Sequence, residues 1–236
     1  YGSDKRYESS VLVNYFKNKR KLSVLASSNN INSIGFSMDE VFDNMGGGRN
    51  RNVWINDNGS FGLNGRSYGN GKGITQSNLV GINYSDEWTK KTETSMSYFH
   101  SSANSKNDNK TKTISFLPSG NFTTDSKTNT KEDRYVHNFA SEFEFKIDST
   151  ASVTIEPNFT KSNNKNRVSS IQSSSDANAI LLNESTSDSF YENTANAFRN
   201  TLTFNKSLKR EGSYISVVFE NENAITDESE TNNSTT

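Results

Sequence analysis

The side chains that could do chemistry are few. Glu142 and Glu144 stand two residues apart in an alternating segment, and Glu156 falls in the next one. Close carboxylates can pass protons or hold cations. Arg134, Lys146 and Arg199 are spaced to neutralise them, so the group reads as a solvated wall or docking surface, with a substrate path as the other use. His100 and His137 are the only histidines. Both fall among aromatics in strand patterns, which suits structural strand residues; the competing use is a proton or metal site. Gly69-Asn70-Gly71-Lys72-Gly73-Ile74-Thr75 looks like a phosphate loop, but Lys72 is followed by Gly and no strand-to-helix frame surrounds it. Asn56-Asp57-Asn58-Gly59 lacks the further acidic ligands of a calcium loop. No cysteine is present, which excludes disulfides and thiolate metal sites. We therefore assign no catalytic, cofactor-binding or metal residues, and expect no enzyme.

These side chains must be held by strands. Hydrophobic residues make up 30% of the 236, well under the roughly 45–50% apolar content of an ordinary soluble domain, glycine included. Disorder would explain that, but 15 Phe and 9 Tyr with a net charge of -1 argue against it. The same near-neutrality offers no electrostatic footprint for nucleic acid. One wet face and one apolar face would reconcile the numbers. Alternation with period two supplies them. Tyr135, His137, Phe139, Ser141, Phe143, Phe145 and Ile147 form one face, and Val136, Asn138, Ala140, Glu142, Glu144 and Lys146 the other. The next strand continues with Val153, Ile155 and Phe159, although Pro157 removes a ladder donor.

Three more hairpins follow the same pattern. One carries Tyr7, Val11, Val13 and Tyr15 and turns at 17–20. A second carries Val80, Ile82 and Tyr84, turns at 86–91 and returns with Met96, Tyr98 and His100. The third carries Phe198, Leu202 and Phe204, turns at 207–212 and returns with Ile215, Val217 and Phe219. These turns are short. The connections near 33–72, 102–132 and 165–189 are long and polar, with a helical turn expected after Ser37 and turns at the Asn-Gly pairs of 56–73.

The predicted fold is all-β: an antiparallel transmembrane β-barrel of about eight strands of 11–16 residues, with short periplasmic turns and long extracellular loops. Arg134, Glu142, Glu144, Lys146, Glu156 and Arg199 are then lumen-facing. Tyr15, Tyr84, Trp88, Tyr98, Phe139, Phe143, Phe145, Phe159 and Phe204 face lipid or form the interfacial girdle. A soluble sandwich core is the competing use of these aromatics.

An ordered set of segments carries a family resemblance. They are the stretch from Asn14-Tyr15-Phe16 through Ile31-Asn32 with Gly35-Phe36-Ser37, Gly73-Ile74-Thr75 leading to Gly81-Ile82-Asn83-Tyr84-Ser85-Asp86-Glu87-Trp88, and Phe116-Leu117-Pro118. Together they resemble the TonB-dependent-receptor-like outer-membrane barrel proteins of Bacteroidota, over most of residues 5–160. The resemblance implies ligand uptake across the bacterial outer membrane, with a plug and TonB-type energy coupling. The N-terminus shows no plug, and the C-terminus lacks a terminal aromatic strand. Residues 1–236 are thus expected to be the barrel portion of a longer protein, without its plug or N-terminal domain. Its partners would be outer-membrane lipid and the remaining strands and plug, from the same protein or another chain. A small closed eight-strand barrel is the alternative architecture. The functional alternatives are a component or substrate of an outer-membrane assembly or secretion complex, and a soluble β-sandwich binding module.

Overall fold

The structure, a computed structural model, describes residues 5–31, 53–55, 61–63, 66–68, 74–118 and 120–236. It is all-β, with no α-helix among the described residues. Eight strands form one antiparallel sheet: β1 (Glu8–Lys17), β2 (Arg20–Asn29), β6 (Ile74–Thr89), β7 (Thr92–Ser115), β8 (Phe122–Lys146), β9 (Ala151–Asp176), β10 (Leu181–Ser207) and β11 (Tyr214–Thr235), adjacent in that order. Between β2 and β6 a small separate sheet is built from β3 (Val53–Ile55), β4 (Phe61–Leu63) and β5 (Arg66–Tyr68). The expected helical turn after Ser37 and the Asn-Gly pairs lie outside the described residues.

The described strands do not close into a barrel: β1 and β11 are the two edges of an open sheet, which departs from the small closed eight-strand alternative. The edges also differ in length, 10 residues against 22, so pairing them with each other would leave 12 residues of β11 uncovered. The long polar connections expected near 102–132 and 165–189 are strand instead. β7, β8, β9 and β10 run for 24, 25, 26 and 27 residues, not 11–16. Their connections are only 116–121 and 177–180. The reason is physical: a stretch dominated by Ser, Thr, Asn and Lys gives no hydrophobic period, but cross-strand hydrogen bonding needs none. Thr124 Oγ1 and Ser174 Oγ lie 3.2 Å apart, and Thr128 Oγ1 and Ser170 Oγ 3.3 Å, each pair bridging β8 to β9.

At the other end the turns are tight. Asn18 takes φ 56° between β1 and β2, a left-handed conformation that Asn tolerates, and Gly212 takes φ 72° before β11. The turn expected over 86–91 is shorter: β6 runs on to Thr89, with a bulge between Glu87 and Thr89 that sets Trp88 outside the regular pairing. β9 is continuous through Pro157, but the β8–β9 pairing skips there, from Ala140–Asn158 to Phe143–Ile155. Ser141 lies in that gap, and its buried hydroxyl has no hydrogen-bond partner.

Burial favours one face, although Thr94, Ser141, Ala151 and Asn163 are buried on the other. Ser23, Leu25, Ser27 and Asn29 on β2, Leu79 and Asn83 on β6, Ser97 and Phe99 on β7, Asn138 on β8 and Thr160 on β9 are all buried. Strand register puts every one of them on the same face. A single sheet hides one face in this way by coiling around it, so this is the concave face. Its apolar centre is Leu25 and Phe99, 1% and 4% exposed, meeting over Gly81. A β-carbon on Gly81 would lie 2.9 Å from Phe99 Cε1 and 3.1 Å from Leu25 Cδ1, so the strand between them has room for no side chain at that point.

Candidate functional site

The register sorts the side chains singled out above onto two faces. Tyr15, Tyr84, Tyr98, Phe139, Phe143, Phe145, Phe159 and Phe204 fall on the convex face. One ladder row crosses seven strands there: Val13, Val24, Ile82, Tyr98, Phe139, Phe159 and Phe198. Five of the seven stand open, Ile82 and Phe159 each 42% exposed, while Val24 and Tyr98 are half-buried. Nearer the turns, Phe145, Val153, Phe204 and Val217 form a second apolar row. From Ile147 to His137 is ten residues, about 34 Å along the strand, or about 25 Å of height at a tilt of 40–45°.

Trp88 joins this face from the bulge. Its ring packs 6.3 Å from Phe143, and its indole N–H donates to Tyr84 Oη at 3.2 Å. Tyr84 Oη donates to Asp86 Oδ2 at 3.1 Å, and Arg20 Nε donates to the same oxygen at 2.8 Å. Sequence reading found the two rings but missed the acid and the arginine that complete the chain. Such groups, apolar in body and polar at the tip, suit a boundary between hydrocarbon and water.

Arg134, Glu142, Glu144, Lys146, Glu156 and Arg199 fall on the concave face, but not in one place. Glu87, Glu93 and Glu144 stand directly opposite one another on β6, β7 and β8. Like charges so placed repel, and lysines offset them: Lys146 Nζ pairs with Glu93 and Lys19 Nζ lies 3.6 Å from Glu87. Glu87, Glu93, Glu144 and Lys19, with Lys21 and Glu142, line an open cleft of about 320 Å³ at the turn end. The unchanged register on both sides of Pro157 brings Glu142 opposite Glu156, which itself faces Thr201. Arg134 is eight residues further along β8 and holds Glu132, with Nε 2.6 Å from Oε1. Arg199 holds Glu222 at 2.7 Å. Of the three cations expected to neutralise the acids, Lys146 pairs with Glu93 beside Glu144, whereas Arg134 and Arg199 pair with Glu132 and Glu222.

Two acids outside the apolar band are tuned by hydrogen bonds. At the turn after β8, the Asp148 carboxylate accepts from the hydroxyl and backbone N–H of Thr150, both at 2.7 Å, and then from Lys206 at 3.1 Å. These donors hold it well below the usual carboxylate range. On the far side, Glu192 accepts from Asn163 Nδ2 and pairs with Lys165, both at 2.9 Å, and is likewise held low.

Phe99, Leu25 and Leu79 are the concave residues that sequence reading missed. Their signal was present as apolar doublets, Val24-Leu25, Leu79-Val80 and Tyr98-Phe99, each placing one member on either face. Among the described residues no three of His, Cys, Asp and Glu gather as a metal site would require. No family model matches the chain, and no curated protein matches it.

Proposed function

We propose that the chain is part of the wall of an outer-membrane β-barrel resembling a TonB-dependent receptor, serving ligand uptake with its polar concave face toward the lumen. One observation carries this reading: an apolar row spans the convex face of a single sheet, and among the described residues no second large sheet covers it. A sandwich module would need that cover. Lipid supplies it without one. At the tilt of such barrel strands, the stretch from Ile147 to His137 would rise about 25 Å, the height of their hydrocarbon-facing band.

The open edges favour one elaboration. Backbone groups on β1 and β11 cannot stay unpaired in lipid, and the unequal lengths disfavour closure of the two on each other. Further strands, from a longer protein or a partner chain, would complete the wall. A role as a component or substrate of an assembly complex shares this geometry.

Flotation tests the reading. The purified chain, folded in detergent and mixed with phosphatidylcholine vesicles, should rise with the lipid, resist alkaline extraction and run with altered mobility when unheated. A chain that is monodisperse without detergent and stays at the bottom of the gradient overturns it. A full-length gene product lacking any plug would overturn the uptake role alone.

A further inference from the structure

We propose that the convex face carries a binding site for the phosphate of a lipid headgroup, formed by His137 and Lys161 at the upper edge of the apolar band. The inference rests on the membrane reading above and goes beyond it, because it gives that surface a lipid selectivity.

The ladder row just above Phe139 and Phe159 reads His100, His137, Lys161 from β7 to β9. The two imidazoles stack with centroids 4.3 Å apart. Tyr135 packs edge-on to His137 at 5.7 Å. Tyr98 Oη lies 2.8 Å from His137 Nδ1. With that hydroxyl donating, or with the ring protonated, Nε2 carries the proton and donates outward. Lys161, next in the row, is exposed and has no ion-pair partner among the described residues.

Three groups able to carry positive charge are therefore adjacent with no carboxylate among them. The nearest acids on the same face stand outside this row. Asp133 lies 3.7 Å from Lys131 and 3.9 Å from Arg167. Glu192 is held by Lys165 and Asn163. Asp227 stands two strands from Lys161 and one row higher, opposite Thr194. Protonated rings in this row would repel each other and Lys161, and an anion seated there would offset that repulsion. The order along the strand selects which anion: acyl chains would lie over Phe159 and Phe139, and a phosphate one row above would meet Nε2 of His137 and Nζ of Lys161. A lipid phosphate fits both parts, whereas free phosphate has no use for the apolar row.

The test uses the full chain in phosphatidylcholine vesicles with and without a minor fraction of phosphatidic acid, followed by detergent extraction and mass measurement of the retained lipid. The protein should retain phosphatidic acid in preference to phosphatidylcholine, and excess inorganic phosphate should not displace it. Lys161→Gln and His137→Gln should each weaken the preference about tenfold, as expected for losing one hydrogen bond to a charged group. Lys165→Gln, already paired and two rows higher, should leave it unchanged. Flotation of each variant reports its folding. Equal retention by wild type, K161Q and H137Q, or displacement by inorganic phosphate, overturns the site while flotation leaves the membrane reading standing. Failure of the wild type to float overturns both.

Discussion

The two ends of the long strands are built on the same backbone ladder and supported in different ways. Near the tight turns, one face of β8 and β9 carries Phe139, Phe143, Phe145, Ile155 and Phe159, and the other carries Asn138, Glu142, Glu144 and Thr160. Beyond Tyr135, both faces are mostly Ser, Thr, Asn and charge, with scattered apolar exceptions such as Val168 and Ile171. There the support comes from hydroxyl pairs such as Thr128–Ser170, from ion pairs such as Lys165–Glu192, and from Arg167 lying 4.9 Å over the Phe190 ring. An apolar band is thus not what makes these residues strands. It marks only the stretch that meets something apolar, and the rest is a ladder that water can surround.

The largest effect is expected at the apolar centre of the concave face. Phe99→Ala removes a buried ring that packs over Gly81 and Leu25, and should cost about 3–5 kcal/mol, read as a lower midpoint in urea unfolding. A loss near zero would mean that the concave face is not packed there. Next in size is a matched pair on the convex face. Phe159→Arg, in the apolar row, should cost about 2–4 kcal/mol in a bilayer, while Ser169→Arg, ten residues on along the same face of β9, should stay within about 0.5 kcal/mol. Equal costs at both positions, measured in vesicles, would erase the boundary between the two ends.

The same boundary decided what could be read in advance. Alternation at 135–147 and 198–204 placed the strands, their faces and their tight turns, because one face there had to leave water. At 102–132 and 165–189 neither face had to, so a 3.3 Å ladder and a polar loop look alike in composition. The acid cluster was visible as Glu142, Glu144 and Glu156, but its partners were not. Pairing depends on register, which puts Glu87 and Glu93 beside Glu144 and sends Arg134 to Glu132 and Arg199 to Glu222. The Trp88 bulge was hidden for a similar reason: one extra residue shifts the face of a side chain without changing the pattern around it.

A smaller effect belongs to the turn. The Asp148 carboxylate is held low by Thr150 and Lys206, so its folded pKa lies below its unfolded value of about 3.9. That ordering means its contribution is present above about pH 4 and disappears as the pH falls through the folded value. Asp148→Asn keeps an oxygen for the Thr150 donors and removes the charge, so stability measured from pH 6 downward should fall less steeply in the variant. Parallel curves would mean that the carboxylate is not engaged.

The smallest effect is expected where a sequence reader would look first. Arg199 and Glu222 face each other on β10 and β11 at 2.7 Å, yet their side chains are 60% and 51% exposed. An open pair of this kind is worth no more than about 1 kcal/mol, since water screens it and both side chains lose freedom to make it. A double-mutant cycle with Arg199→Gln and Glu222→Gln should therefore give a small coupling that salt erases. The edge itself can change that result. If further strands cover β11 in the complete wall, water leaves Glu222, the dielectric around the pair falls, and the coupling should rise above that of the isolated chain. The same cycle measured in both forms reports whether β11 is an edge in the assembled protein.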